Sequence, residues 1–307
     1  MKSDLPKVLH EVCGRPMLHF VLRACELAGV DRILVVVGHG RDAILKRFQG
    51  EFKVEWVDQF EQRGTGHAVL CCRDALAGFD GNVLVIAGDM PLIRREVLVE
   101  LVHQHETGGD AVTLATTFLD DPTGYGRIIR NEKGELAAIV EDRDCTPEQR
   151  EVHEVNVSYY CFDAKRMFAA LSKVEPSVGQ AEYYLTDAVA VLKREGHQVL
   201  AGMAIPREDA LGINSRLDLA LVNRIMQDRI QLSLMNDGVT IVDPDNTWVE
   251  AEVSIGQDTI IHPFSVVRTG ATIGSRCCIG PFAGIAAGEH VKDGAHALPI
   301  GRTGNEP

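Results

Sequence analysis

Apolar residues along this 307-residue chain change their spacing twice, and each change marks a different kind of element. From residue 16 to 27 they recur at helical intervals and stop before Gly29, after which an unbroken apolar run fills residues 33–37. A helix that ends at a glycine and feeds a short apolar strand is a building unit of α/β proteins. The alternation continues, predicting helices over 42–48, 67–76 and 94–105, with strands near 53–57 and through NVLVIAGDMPL. Nearly continuous Ile, Leu and Val in short strands predict a sheet covered on both faces, hence an α/β fold with a doubly wound, mostly parallel sheet.

After Gly109 the spacing changes. AVTLATTF and NVSYYCF read as strands, and YGRIIRNEKGELAAIVE reads as two β segments turning at residues 131–134. Helices follow over 164–171 and 183–194, then a strand over 199–203. RLDLALVNRIMQDRIQLSLMNDG predicts a long helix whose apolar positions are Leu217, Leu221, Ile225, Leu232 and Met235, closing a first domain of residues 1–238. The DPDN stretch beyond it reads as a polar turn.

The second change is to a period of six. Val249, Ile255, Ile261, Val267, Ile273, Ile279, Ile285 and Val291 follow one another at that interval, with small or polar residues between. This is the pattern of a left-handed parallel β-helix, in which each apolar residue points inward and three hexapeptides complete a coil. The predicted solenoid occupies residues 239–297, at about two and a half coils from Val249 to His296, and 298–307 form a tail. So few coils make a small core, which predicts association with further copies.

Charge and composition narrow the partners. A formal net charge of -13 without a basic run excludes general affinity for nucleic acid or an anionic membrane surface. The eight cysteines form no CxxC unit, and every long apolar run is broken by charge or glycine well short of a membrane span, so a cytoplasmic protein with reduced, mostly buried thiols is expected.

Candidate chemistry gathers where strands end, because doubly wound sheets bind ligands at the carboxyl ends of their strands. VDQFEQRGTGHA sets Gln59, Gly64 and Thr65 between a strand and a helix, where an amide and a flexible turn suit a nucleobase edge; an ordinary loop reads equally well. GDMPL sets Asp89 past a buried strand, as a magnesium ligand or as the cap of the next helix. The turn through Gly124, Tyr125, Gly126 and Arg127, with Glu141 at the end of the returning segment, suits the hydroxyls of a sugar ring, or is a plain hairpin with a surface Glu. Asn156 and Asn214 read as turn residues, amide ligands or helix caps. The histidines, including His10, His39 and His67, form no metal signature.

Taken in order, PKVLH, QRGTGHA, GDMPL, DPTGYGRIIR, IVE, EVN, EYYLTD and GINSRL resemble the motifs of the bacterial uridylyltransferases that make UDP-N-acetylglucosamine from UTP and N-acetylglucosamine 1-phosphate. The resemblance covers residues 1–238. It implies that Lys7 contacts phosphate and acts with Asp89 in catalysis, and that Gln59, Gly64 and Thr65 hold uracil. It also implies that Asp89 and Asn214 bind Mg2+ and that Gly126, Glu141 and Asn156 bind the N-acetylglucosamine moiety, with Tyr183 and Thr186 near the sugar. A homotrimer through the β-helix is implied as well. Another sugar 1-phosphate is the alternative substrate, and an inactive remnant with a role in assembly is the alternative to an enzyme.

Departures from the family pattern set further expectations. Ahead of PKVLH the family carries a strand and an LAAGxGTRM loop, of which only Met1 has a counterpart. A missing interior strand removes about 7 to 15 kcal/mol of gross apolar burial, so an adjusted strand order or an unpaired central slot is expected, with poor folding if Met1 is the true start. Ala87 stands where the family often has Tyr, and Gly284 where it has a basic residue. The shortened repeat lacks the coils that carry acetyl transfer in longer members, and that activity is not expected.

Overall fold

The computed structural model describes residues 1–175 and 182–297; the expected tail, 298–307, lies outside the described residues. The chain divides into two compact units. One comprises residues 3–6 and 20–211; the other comprises residues 1–2, 7–19 and 212 onward.

A short antiparallel ribbon, β1 (Glu11–Val12) and β2 (Arg15–Pro16), turns at Cys13 and Gly14 and leads into α1 (Met17–Leu27). In the first unit β3 (Leu34–Val37), α2 (Arg41–Phe48) and β4 (Glu55–Asp58) form a parallel pair of strands with its crossover helix. Then come α3 (Thr65–Cys71), β5 (Asn82–Ile86), α4 (Arg95–Gly108), β6 (Val112–Phe118), β7 (Gly126–Arg130), β8 (Leu136–Val140), α5 (Pro147–Arg150), β9 (Glu154–Asp163), α6 (Ala164–Leu171), α7 (Leu185–Arg194) and β10 (Val199–Ala204).

The main sheet has six strands in the order β10-β6-β9-β7-β8, with β5 also paired to β9. Strands β5, β6, β7 and β10 run one way and β9 and β8 the other, so the ordinary α/β direction is interrupted chiefly by β9. β9 is ten residues long and almost wholly buried, and its β-branched and aromatic side chains suit a strand covered on both faces. Its long reach lets one strand pair with β5, β6 and β7. Val112, Leu114, Tyr160, Phe162, Met167, Leu171, Leu185 and Leu192 form the central core. Among the described residues β3 and β4 hydrogen-bond only with each other, leaving an edge of β3 and an edge of β5 without a strand partner.

In the second unit α8 (Arg216–Asn236) opens with a capping box, in which Ser215 and Asp218 satisfy each other's backbone N–H groups. Its buried residues are Val222, Met226, Gln227, Gln231 and Leu234, whereas Leu217, Leu221, Leu232 and Met235 are exposed. The apolar face read from the sequence is therefore the wrong one. Gln227 accepts from the Val249 N–H at 3.0 Å and donates to the Val249 carbonyl, and Gln231 donates to the Thr247 carbonyl at 2.8 Å. Those bonds satisfy a solenoid backbone that a purely aliphatic face would leave orphaned. They also draw α8 to the repeats, so the compact units divide between Leu211 and Gly212 rather than at Gly238.

The repeats form a parallel β-helix of three short sheets. One stacks β11 (Thr240–Ile241), β14 (Ile260–Ile261), β17 (Cys278–Ile279) and β20 (His296–Ala297). The second stacks β12 (Trp248–Val249), β15 (Val266–Val267) and β18 (Gly284–Ile285), and the third stacks β13 (Ser254–Ile255), β16 (Thr272–Ile273) and β19 (His290–Val291). All eight residues of the six-residue period are buried in its core. The solenoid also begins one strand before the period does: Ile241 is an inward residue, and the 3-10 turn Pro244–Asn246 lengthens the step to Val249.

Candidate functional site

Two groups of the expected residues can be traced, one in each compact unit. In the solenoid unit Lys7 opens a 3-10 turn, Lys7–Leu9, that the restricted backbone of Pro6 introduces. Its Nζ donates to Asn214 Oδ1 at 2.5 Å. Asn214 precedes the cap of α8, and its N–H donates to Asp218 Oδ2 at 2.9 Å, so the capping box that starts the helix also fixes the amide that meets Lys7. Two residues on, Arg216 Nη1 donates to His10 Nδ1 at 3.1 Å. His10 is buried, and burial beside Arg216 holds its imidazole below the usual range, leaving it neutral and able to accept that bond.

The remaining residues lie in the α/β unit. Gln59 follows β4, anchored by its N–H to the Val37 carbonyl at 2.7 Å. Its amide nitrogen lies 3.2 Å from the Gly64 carbonyl and 3.1 Å from His67 Nδ1. Gly64 has φ +93°, and a Cβ there would come within 2.6 Å of the Tyr183 carbonyl, so the position takes only glycine without strain. That close approach is a two-way pairing. Tyr183 N–H donates to the Arg63 carbonyl and Gly66 N–H to the Tyr183 carbonyl, both at 2.8 Å, and Leu185 N–H donates to Thr65 Oγ1 at 3.1 Å. Tyr183 thus contributes chiefly through its backbone, binding the loop to the start of α7.

From α7 the connection continues. Thr186, one residue after Leu185, donates to Glu141 Oε1 at 2.9 Å. Burial is the main cause that pushes the Glu141 carboxyl above the usual range, with Asp187 and Asp144 adding to it and Thr186 and Arg143 opposing it. Gly126 pairs with Asn156 across β7 and β9, and a Cβ on Gly126 would lie 3.6 Å from Glu141 Oε2. Gly126, Glu141, Asn156 and Thr186 therefore form one cluster drawn from β7, the residue just past β8, β9 and α7. Asn156 is buried, donates to the Tyr160 hydroxyl at 2.6 Å and accepts from the Ser158 N–H at 3.2 Å, which leaves one amide hydrogen and one lone pair uncommitted.

Asp89 follows β5 and is partly buried. The alternative of a helix cap does not hold, since the residue ahead of α4 is Arg94 and no side chain caps that helix. Asn214 is likewise not the cap of α8, that place being taken by Ser215. A carboxylate such as that of Asp89 and an amide oxygen such as that of Asn214 are each donors of the kind a hard cation takes, and the Lys7 bond leaves Asn214 Oδ1 a second lone pair. Among the described residues no group of three His, Cys, Asp or Glu side chains is arranged to hold a metal ion.

His67 enters this loop although sequence reasoning left it aside with the other histidines. Its signal in the sequence is weak, because its meeting with Gln59, eight residues earlier, depends on how the Gly64 turn folds back. All eight cysteines are free thiols; six are buried, while Cys71 and Cys278 are partly exposed.

Both parts of the chain resemble known proteins. Residues 252–287 match the bacterial transferase hexapeptide repeat. Bifunctional protein GlmU of Clostridium botulinum is 43% identical over 279 residues, covering 91% of this chain and 61% of that protein. The GlmU proteins of Geobacillus thermodenitrificans and Listeria monocytogenes are 42% and 43% identical, covering 93% and 91% of this chain. The chain spans about three fifths of the length of these relatives. A solved structure of UDP-glucose pyrophosphorylase complexed with UDP-glucose superposes with a TM-score of 0.58 at 17% identity, covering 73% of this chain and 91% of that one, and supports the fold. The match to the MobA-like NTP transferase domain model extends over residues 1–182, more than half of the chain, and by that match the chain belongs to the MobA-like NTP transferase family.

Proposed function

We propose that the chain transfers a uridylyl group from UTP to N-acetylglucosamine 1-phosphate, forming UDP-N-acetylglucosamine and pyrophosphate. The observation that carries this reading is that Gln59 meets Gly64, residues 63–66 pair with Tyr183 and Leu185, and Thr186, next along the chain, meets Glu141 beside Gly126 and Asn156. It joins a loop suited to a base edge to a cluster suited to sugar hydroxyls, as a nucleotide-sugar product requires. Uridine and the acetamido sugar are preferred to other pairs on the motif resemblance to the uridylyltransferases that make UDP-N-acetylglucosamine.

The nucleophile is a phosphate oxygen of the sugar phosphate. It attacks the α-phosphorus of UTP, the bond to the bridging oxygen breaks, and pyrophosphate leaves with that electron pair. A phosphate monoester is already anionic at neutral pH, so the protein has to position and neutralise rather than remove a proton. Lys7 supplies an ammonium to the triphosphate, and its bond to Asn214 holds that ammonium in one orientation. Glu141 and Asn156 orient the sugar, and the absence of a side chain at Gly126 leaves room for it. Asp89 and Asn214 are the residues that would hold magnesium, whose charge would offset that of the phosphates when bound. The chemistry fits a cytoplasmic enzyme with UTP and N-acetylglucosamine 1-phosphate as its small-molecule partners; no helix among the described residues is long and apolar enough to cross a membrane.

Pyrophosphate release, with UTP offered alongside N-acetylglucosamine 1-phosphate or glucose 1-phosphate, tests the reading. Release is expected to require a divalent cation, to favour the acetamido sugar and to fall by about 100-fold or more in Asp89→Asn. Equal rates with both sugars overturn the sugar assignment, and unchanged turnover in Asp89→Asn overturns the metal assignment.

A further inference from the structure

We propose that His67 is a specificity-determining positioning residue that fixes the Gln59 amide as a hydrogen-bond acceptor and thereby selects uracil over cytosine. The inference rests on the uridylyltransferase reading and goes beyond it in naming what sets the base preference.

The Gln59 side chain is held on one side only. Its nitrogen faces the Gly64 carbonyl at 3.2 Å and His67 Nδ1 at 3.1 Å. A carbonyl oxygen only accepts, so the Gln59 atom facing Gly64 must be the NH2 group; the reversed amide would set two carbonyl oxygens against each other. With the NH2 group so placed, His67 Nδ1 must be the unprotonated ring nitrogen that accepts the second amide hydrogen. Both amide hydrogens are then committed within the protein. Among the described residues Gln59 Oε1 has no partner, so what Gln59 offers a ligand is an acceptor and nothing else.

That polarity discriminates between pyrimidines. At ring position 3 uracil carries an N–H donor, while cytosine carries a lone pair that would oppose Oε1. Cytosine reaches the same acceptor only by sliding its amino group onto it, a shift opposed by the ribose and phosphates attached at N1. Without His67 one amide hydrogen is released and the amide is held by Gly64 alone. It can then turn to present a donor to cytosine. Selection by an unpaired buried polar contact is steep, whereas selection by shape alone between two rings of nearly equal size is shallow. The backbone supports this division of labour, since Gln59 is anchored to β3 by its own N–H and His67 lies within α3. The two side chains are therefore brought to a fixed separation by separate elements.

The test is the ratio of kcat/KM for UTP to that for CTP in the intact chain, with His67→Ala, His67→Phe and His67→Asn compared with the parent. Asn is the conservative variant because its Oδ1 stands close to where the imidazole Nδ1 stands and also accepts. The expected result is a parent that strongly prefers UTP and a preference that narrows at least tenfold in His67→Ala and His67→Phe. In His67→Asn the preference is restored to within about threefold of the parent. A purely structural role would lower both rates together and leave the ratio unchanged, and that outcome overturns the proposal while leaving the uridylyltransferase reading intact. A parent that uses UTP and CTP equally also overturns it. A parent that turns over neither nucleotide overturns the underlying reading and this proposal with it.

Discussion

Glu141 shows how one buried side chain links the site to stability. Its carboxyl titrates above the usual range because burial penalises the charged form more than the Thr186 bond and Arg143 favour it. Between the ordinary carboxylate value, about 4.3, and the raised native one, the folded state holds more protons than the unfolded state. Stability therefore falls as pH rises through that window, and the penalty stays in full above it. Glu141→Gln keeps an acceptor for Thr186 and carries no charge. The gain in thermal midpoint of Glu141→Gln over the parent should accordingly be smallest near pH 4 and larger at pH 7; a gain that shrinks as pH rises contradicts the assignment. Residues of this kind were only half legible. Glu141 was marked by its place after a returning strand, and Gln59 and Gly64 by a strand-to-helix turn, because strand ends are where ligands bind. The coupling of Thr186 to Glu141 spans 45 residues, and the His67 contact depends on a left-handed glycine, so neither distance is written in a local pattern.

At the level of elements, legibility followed the strictness of the pattern. The six-residue period located the eight large inward residues from Val249 to Val291, though not the smaller Ala271, Cys277 and Ala283 buried with them, because a solenoid tolerates no slip without turning its core outward. Where the step lengthens, between Ile241 and Val249, the pattern concealed a strand that the structure contains. Helix α8 failed for a different reason. It carries apolar residues on all sides, so spacing alone left two faces in competition, and the buried one is decided by Gln227 and Gln231 serving the backbone at Thr247 and Val249. Truncating Gln227 leaves the Val249 N–H and carbonyl without partners inside the protein, which costs about 1 to 3 kcal/mol. Truncating Leu221, half exposed, costs within about 0.5 kcal/mol. Thermal midpoints should therefore rank Gln227→Ala well below both Leu221→Ala and the parent. If Leu221→Ala is the more damaging change, the face assignment is wrong.

For the whole molecule, the α/β class and the repeat were legible from strand composition and period, while the reversed direction of β9 was not, because a buried strand reads alike in either direction. The two compact units have separate cores, one around β6 and β9 and one inside the solenoid. The solenoid core is small, and its outer surface carries apolar groups that a lone chain gains nothing by exposing. Phe264 and Phe282 stack with ring centroids 5.0 Å apart, and both are more than half exposed; Ile260 is exposed on an outward-facing strand position. Exposed aromatic pairs on a short repeat favour burial against further copies, and the family that the motifs resemble implies three of them, so we propose a homotrimer. Light scattering is expected to give three times the 33.6 kDa chain mass, with a thermal midpoint that rises with protein concentration, since association binds the folded state alone. Replacing both aromatics, Phe264→Ser with Phe282→Ser, should weaken the assembly while the inward residues keep the coils folded. A parent of 33.6 kDa at working concentration, with a midpoint independent of concentration, excludes the trimer and leaves the aromatic pair without an occupant.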